Sequence, residues 1–475
     1  MTNSLHESGN GALFAAKAHL RDGWRDNVLL RWDAHGTLTQ VSANVSDEQL
    51  AQVPNLQRAQ GPVVQGMPNL HSHAFQSAMA GLTEYRANAA DSFWSWRDLM
   101  YRFAARISAE DMGAIAHYLY IEMLKAGYTA VCEFHYVHHQ PDGSHYPQTA
   151  ELAQRVADAA EQAGIGITML PVLYQYSNFG AKPPRDDQRR FLNTPEQLLE
   201  LLSQLRRSHP ETQSRRYGVA PHSLRAVSGE SLKVLLNGLD RDFPGAPIHI
   251  HIAEQTAEVD ACLAAHGVRP VQWLLDHFDV DQRWCLVHAT HMDPDERRRA
   301  AASGAVAGLC LTTEANLGDG LFPAVDYLTE GGRFGIGSDS HISVDWRSEL
   351  RMLEYGQRLQ RRERNVLASS TQPIVADRLF DSAAKGGAMA SGRAIGTLAV
   401  GCQADFLVLD ADHPHLAEQH PDSWLSGVVF SERGPTPIRD VYVAGQQRIH
   451  DRRHPDEERV FARYREALSQ LLKRD

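Results

Sequence analysis

The sequence predicts an α/β protein: a (β/α)8 TIM-like barrel with a small β-sandwich domain built from both chain ends. Two patterns predict it. From about residue 63 to about residue 390, short β-like runs alternate with longer helix-like segments, as in a parallel sheet covered by helices, and the runs number about eight, the count that closes such a barrel. Polar, chemically capable side chains follow most of the runs, and sites of (β/α)8 barrels gather at that C-terminal rim.

The runs, in order, are Pro62–Leu70, Thr129–Phe134, Gly166–Leu173, Arg216–Pro221, Pro247–Ile252, Trp284–His288, Ala305–Leu311 and Phe334–Gly337. The flanks differ. Residues 27–45 read as short strands joined by a turn at Gly36, and Ala404–Leu409 and Val441–Ile449 read likewise, the last turning at Ala444-Gly445. Residues 1–62 and 393–475 are therefore expected to form the sandwich, and 63–392 the barrel. From Pro455 onward, Val460, Tyr464, Leu468 and Leu471 share one helical face, which predicts a terminal helix packed on the body. The charged run Arg358–Arg364 is read as a solvated helix face.

Composition excludes several function classes. The formal net charge of −11 lacks the basic footprint of non-specific nucleic-acid binding, though local arginines can still receive an anionic small molecule. Five widely spaced cysteines form no C-x-x-C pair, so neither a disulfide framework nor a thiolate zinc site is expected. Ala12–Leu20 is short and interrupted by Lys17 and His19, unlike a signal peptide, and no apolar stretch approaches the ~18 residues of a membrane span. A soluble cytoplasmic protein is the expectation.

The chemistry begins at His71-Ser72-His73, where two imidazoles two residues apart on a strand point to the same side and can hold one metal ion. Pro247-Ile-His-Ile-His-Ile-Ala-Glu254 offers a second such pair. Its pattern alone leaves both His249 and His251 open as ligands; His251 lies nearer the rim and His249 deeper, with Glu254 just beyond the strand. Trp284–His288 puts an imidazole at the rim, and His291 behind it is read as structural. The eighth run ends in Gly337-Ser-Asp339-Ser-His341. His71, His73, His251 and Asp339 thus offer three nitrogens and one oxygen to an ion that keeps a position open for water.

These motifs resemble the metal-dependent amidohydrolase superfamily in its deaminase branch, over nearly the whole chain. Longer stretches narrow the resemblance to bacterial formimidoylglutamate deiminases of histidine degradation: Met67-Pro-Asn-Leu-His-Ser-His-Ala-Phe-Gln76, Phe93-Trp-Ser-Trp-Arg97 and Leu311-Thr-Thr-Glu-Ala-Asn-Leu-Gly-Asp-Gly320. Binuclear members bridge two metals with a carboxylated lysine after the fourth strand, and Tyr217–Arg225 has no lysine, so one ion per subunit is expected. The resemblance implies zinc, and a symmetric homodimer.

The implied reaction is hydrolysis of an amidine carbon with loss of ammonia. Asp339 is expected to be both ligand and proton acceptor, and His288 to steady the tetrahedral centre. Glu254 would carry a proton to the imine nitrogen and then to departing ammonia. Formimidoylglutamate is a dianion, so guanidiniums that bind carboxylates are expected: Arg225 after the fourth run and Arg97 in the aromatic segment after the first, with Gln76, Tyr136 and His222 completing the grip. The 74–103 connection is long enough for a lid or a subunit contact. His135, His138 and His139 are read as surface loop residues, and Asn316–Gly320 as a tight loop shaping the pocket. The alternatives are a deaminase acting on a nucleobase-like ring, an imidazolone-opening relative, and a scaffold that has lost catalysis.

Overall fold

The computed structural model describes residues 10–82, 84 and 93–473. Its body is a ring of parallel strands: β1 (Met67–Ser72), β2 (Tyr128–His135), β3 (Gly166–Leu173), β4 in two pieces (Arg215–Tyr217 and Ala220–Pro221), β5 (Ile248–Ile252), β6 (Trp284–His288), β7 (Val306–Leu309) and β8 (Arg333–Ile336). β1 to β4 pair in order, as do β5 to β8. Single parallel bridges join the two sets at both seams, Val219 with Ile248 and Ser223 with His251 at one, Ser72 with Asp339 at the other. The architecture is an α/β barrel of the TIM type. β1, β2, β3, β5, β6 and β7 are buried along their whole length. Strands covered on both faces read as continuous apolar runs rather than alternating ones, which is why they stand out in the sequence.

Five helices matter to the site or its support. α1 (Phe93–Ala104) lies in the connection after β1, and α2 (Ala109–Lys125) starts at Ser108, whose hydroxyl accepts from the Asp111 backbone amide. α3 (Leu311–Leu317) directly follows β7. α4 (Val375–Ser391) lies so close to β8 that a Cβ on Gly386 would come within 1.8 Å of the Phe334 carbonyl oxygen. α5 (Glu457–Lys473) buries Val460, Ala467 and Leu471 and stacks Tyr464 on Tyr118 of α2 at 4.7 Å between ring centroids, the terminal helix the sequence predicts.

Strands from both chain ends share one eight-stranded mixed sheet. Its order is Gln446–Ile449, Ile438–Val443, Phe406–Leu409, Val63–Gln65, Gly11–Leu20, Gly23–Trp32, Leu38–Ser42, with Leu56–Arg58 beside Gly11–Leu20. Trp32 and Phe406 sit three strand steps apart in that order, about 14 Å on a flat sheet, yet their rings are 5.9 Å apart. The sheet therefore curls over its own core of Leu13, Leu30, Val63 and Val408.

Three expectations change. The run Pro62–Leu70 is not one strand: it breaks at Gly66, with Val63–Gln65 pairing antiparallel to Phe406–Val408 in the mixed sheet and Met67 opening the barrel. Leu311 belongs to α3 rather than to the seventh strand. Gly11–Leu20 is a strand that the sequence reading did not assign. Residues 83 and 85–92 of the 74–103 connection lie outside the described residues, and the lid or subunit-contact expectation for them lies there too. Among the described residues no helix is long and apolar enough to cross a membrane.

Candidate active site

β1, β5 and β8 bring His71, His73, His251 and Asp339 together, all buried, with their candidate ligand atoms within 4.8 Å of one another. Asp339 Oδ1 lies 3.4 Å from His71 Nε2 and 3.3 Å from His73 Nε2, and His251 Nε2 lies 3.0 Å from His71 Nε2. The seam between β1 and β8 sets this spacing: the Asp339 amide donates to the His71 carbonyl at 3.0 Å, and the His73 amide donates to the Asp339 carbonyl at 3.2 Å. Gly337 permits that approach, since a Cβ there would meet His71 at 2.8 Å. The ambiguity on β5 resolves in favour of His251. His249 lies on the same strand face but deeper, and its Nε2 bonds the Ala390 carbonyl of α4 at 2.8 Å.

The donor set fits a divalent cation. His73 and His251 each donate Nδ1–H to a backbone carbonyl, Phe134 at 2.9 Å and His222 at 3.2 Å, which leaves both Nε2 lone pairs for the ligand cluster. Burial pulls His71 down to about 3 and lowers His73 and His251 as well, so all three rings are neutral, as ligands must be. Burial pushes Asp339 up, but the imidazoles His71, His73 and His288 hold it below the ordinary carboxylate range. A buried carboxylate facing unprotonated nitrogens is an arrangement that a cation relieves.

Beside this group, His288 Nε2 lies 3.7 Å from Glu254 Oε1 and 3.8 Å from Asp339 Oδ2, and its Nδ1 lies 3.2 Å from Glu314 Oε1. Burial opposes a charge on His288, but Glu254, Glu314 and Asp339 more than offset it and raise the ring to about 10. Burial raises Glu254 to about 7. A carboxyl that titrates near neutrality can both give and take a proton at working pH. The groups His288–Cys310–Asp339 and Glu254–His288–Asp319 also have metal-like spacing. Both share His288, whose ring the surrounding carboxylates favour in its protonated form, whereas the His71–His73–His251–Asp339 group offers four donors. The rim is held in costly backbone: Ala253, His288, Ala289, Asp339 and His341 all have positive φ, from 49° to 66°. Left-handed non-glycine residues cost about 1–2 kcal/mol each and concentrate at functional sites.

One cavity touches all of this. Its lining includes His73, His251, Glu254, His288 and Asp339 together with Gln76, Arg97, Tyr136, His222 and Arg225, so every substrate-side residue expected from the sequence reaches it. Gln76 Nε2 donates to the Tyr136 hydroxyl at 2.7 Å. Arg225 is buried, with Nε 3.9 Å from Glu258. The Arg97 guanidinium lies 5.6 Å from the Tyr101 ring centre, and Asp98 pairs with Arg185 at 2.9 Å.

Residues 63–447 match the amidohydrolase family. The chain belongs to that family. Among amidohydrolase relatives it is 52% identical over 461 residues to the formimidoylglutamate deiminase of Pseudomonas aeruginosa, covering 97% of this chain and 99% of that one. A solved amidohydrolase from Brucella melitensis superposes with a TM-score of 0.89 at 44% identity, covering 97% of this chain and all of the other. An adenosine deaminase from Xanthomonas campestris, solved with bound zinc, shares the fold at a TM-score of 0.78 and 20% identity, over 98% and 99% of the two chains.

Other residues of this amidohydrolase site were not evident from the sequence. Glu133 of β2 accepts from Ser72 Oγ at 2.6 Å, the Ala74 amide at 2.7 Å and the Tyr120 hydroxyl at 3.1 Å, bracketing His73. Asn69 donates to Ser338 Oγ at 2.6 Å, tying β1 to the segment before Asp339. His341 bonds Ser338 Oγ at 2.9 Å and Ser72 Oγ at 3.2 Å. Tyr101, Tyr174 and Phe191 also line the cavity. His135, His138 and His139 are buried, not surface loop residues, and the last two bond the carbonyls of Val172 and Leu192. Of the expected loop Asn316–Gly320, Asn316 and Leu317 close α3 and the loop begins at left-handed Gly318, with Leu317 lining the cavity. His291 is structural as expected, its Nε2 bonding the Asp319 carbonyl at 2.8 Å.

Proposed function

We propose that this chain hydrolyses N-formimidoyl-L-glutamate to N-formyl-L-glutamate and ammonia, with one zinc ion held by His71, His73, His251 and Asp339. The carrying observation is that a single cavity joins this ligand set to two arginines, Arg97 and Arg225, which suits a substrate with an amidine at one end and two carboxylates at the other. The full-length identity to the Pseudomonas aeruginosa deiminase supports the same reading. On this reading the barrel, 63–392, is the catalytic unit, and the curled mixed sheet is a small sandwich domain made by 1–62 and 393–475.

When bound, zinc supplies Lewis acidity and lowers the pKa of water toward ~7. The chain's own residues do the rest. Asp339, kept ionised by its hydrogen bond with His71 and by the protonated His288, accepts the proton that water gives up as it adds to the amidine carbon. His288, held protonated between Glu254, Glu314 and Asp339, donates toward the oxygen of the tetrahedral centre. Glu254, which titrates near neutrality, gives a proton to the imine nitrogen, then takes up the hydroxyl proton of the tetrahedral centre and delivers it to the same nitrogen as the C–N bond breaks; the carbonyl forms, ammonia leaves, and the proton held on Asp339 returns to Glu254. The formamide C=O replaces the amidine C=N, so one water is consumed for each ammonia released. Arg97 and Arg225 hold the carboxylates, and Gln76, Tyr136 and His222 frame the amidine. Purified protein given N-formimidoyl-L-glutamate should release ammonia and N-formylglutamate in equal amounts; formamide with free glutamate instead would place the cleavage at the other C–N bond and contradict the reading.

A further inference from the structure

The cavity wall carries two phenols, Tyr101 of α1 and Tyr174 just past β3, that belong to none of the roles above. Gln188, itself fully buried, donates from Nε2 to both hydroxyl oxygens, 3.1 Å to Tyr101 and 2.8 Å to Tyr174, and the two hydroxyls are 3.3 Å apart. A phenol has one hydrogen to give. With the amide of Gln188 donating to both oxygens, one hydroxyl proton can bridge the pair and the other is left over. The same wall carries Arg97 and Arg225, so this surplus donor sits in a cavity already built to receive negative charge. Burial holds the Tyr174 phenol well above its ordinary range, so it stays a donor at any working pH.

We propose that the Tyr101–Tyr174 pair, oriented by Gln188, donates a hydrogen bond to one carboxylate of the substrate beside the two arginines, and so sets the preference for a dianion. The inference rests on the deiminase reading and extends it to three residues that do not touch the reacting carbon.

The hydroxyls share the duty, which gives a signature that simple loss of packing does not. In either Tyr101→Phe or Tyr174→Phe the remaining phenol keeps its proton for the ligand, so KM should rise less than about 3-fold. In the double variant no hydroxyl remains, and KM for N-formimidoyl-L-glutamate should rise about 10-fold or more, the scale of a hydrogen bond to a charged group, with kcat little changed. Gln188→Glu, which accepts both protons, should match the double variant and serves as the test if that variant does not fold. N-formimidoyl-4-aminobutyrate and N-formimidoyl-2-aminobutyrate each lack one carboxylate, and one of them should lose the penalty. An unchanged KM in the double variant, single effects as large as the double, or equal penalties on both analogues would overturn the assignment while leaving the deiminase reading intact. Failure of the wild-type protein to hydrolyse formimidoylglutamate would sink the deiminase reading, and this assignment with it.

Discussion

Each imidazole in the ligand set is aimed by what its far nitrogen does. His73 and His251 spend Nδ1 on backbone carbonyls and point Nε2 inward, whereas His249, two residues from His251 on the same strand face, spends Nε2 on Ala390 and never reaches the cluster. His251→Ala should therefore lose bound metal and activity. His249→Ala should keep one metal per chain and lose about 1–3 kcal/mol of stability by leaving a buried carbonyl unpaired and a cavity beside it, as elemental analysis and denaturant unfolding would show. Glu254→Gln should lower kcat by ~10²–10⁴-fold with metal content intact; normal turnover would remove Glu254 from proton transfer. Much of this scale was legible in the sequence. Two residues apart on a strand fixes a shared side, and Asp339 follows a Gly-Ile-Gly that ends a strand. Glu133, Tyr174 and Gln188 were not legible, because their partners lie 61, 14 and 87 residues away and no local period marks them.

At the scale of elements, β2 supports β1 through Glu133. Both carboxylate oxygens accept hydrogen bonds, so Glu133→Ala removes all three and loosens the Ser72–Ala74 turn that carries His73. Metal affinity should fall about 10–100-fold, as for other groups that orient ligands, measured by competition with a chelator; an unchanged affinity would show that the turn holds itself. Helix Trp346–Arg361 carries another buried carboxyl, Glu349, which accepts from the Thr312 hydroxyl and amide of α3 and is raised by burial to about 8. Because the folded value lies above the unfolded one near 4.5, its contribution is full below about 4.5 and is lost as pH rises through about 8. Glu349→Gln should flatten the decline of the unfolding midpoint across that window. Elements were unevenly legible. Gly11–Leu20 is rich in alanine and lacks alternation, since the curled sheet buries residues from both of its faces. Pro62–Leu70 reads as one run because its two halves are apolar for different reasons, one in each sheet.

At the scale of the molecule, the ring of strands sets the chemistry by bringing chain positions 71, 73, 251 and 339 to one point through two seams. Those seams were not visible in the sequence; the count of strands was. Metal bound only by the folded chain adds stability by mass action, about 4 kcal/mol at a thousandfold excess over its dissociation constant. Chelation should therefore lower the melting temperature as well as abolish turnover, and zinc should restore both. The central claim joins metal chemistry to a dianionic substrate in one cavity. The most direct measurement is ammonia release by the zinc-loaded protein from N-formimidoyl-L-glutamate in parallel with adenosine, guanine and cytosine. Formimidoylglutamate should be turned over with the highest kcat/KM by orders of magnitude; faster release from any of the ring substrates would contradict the account.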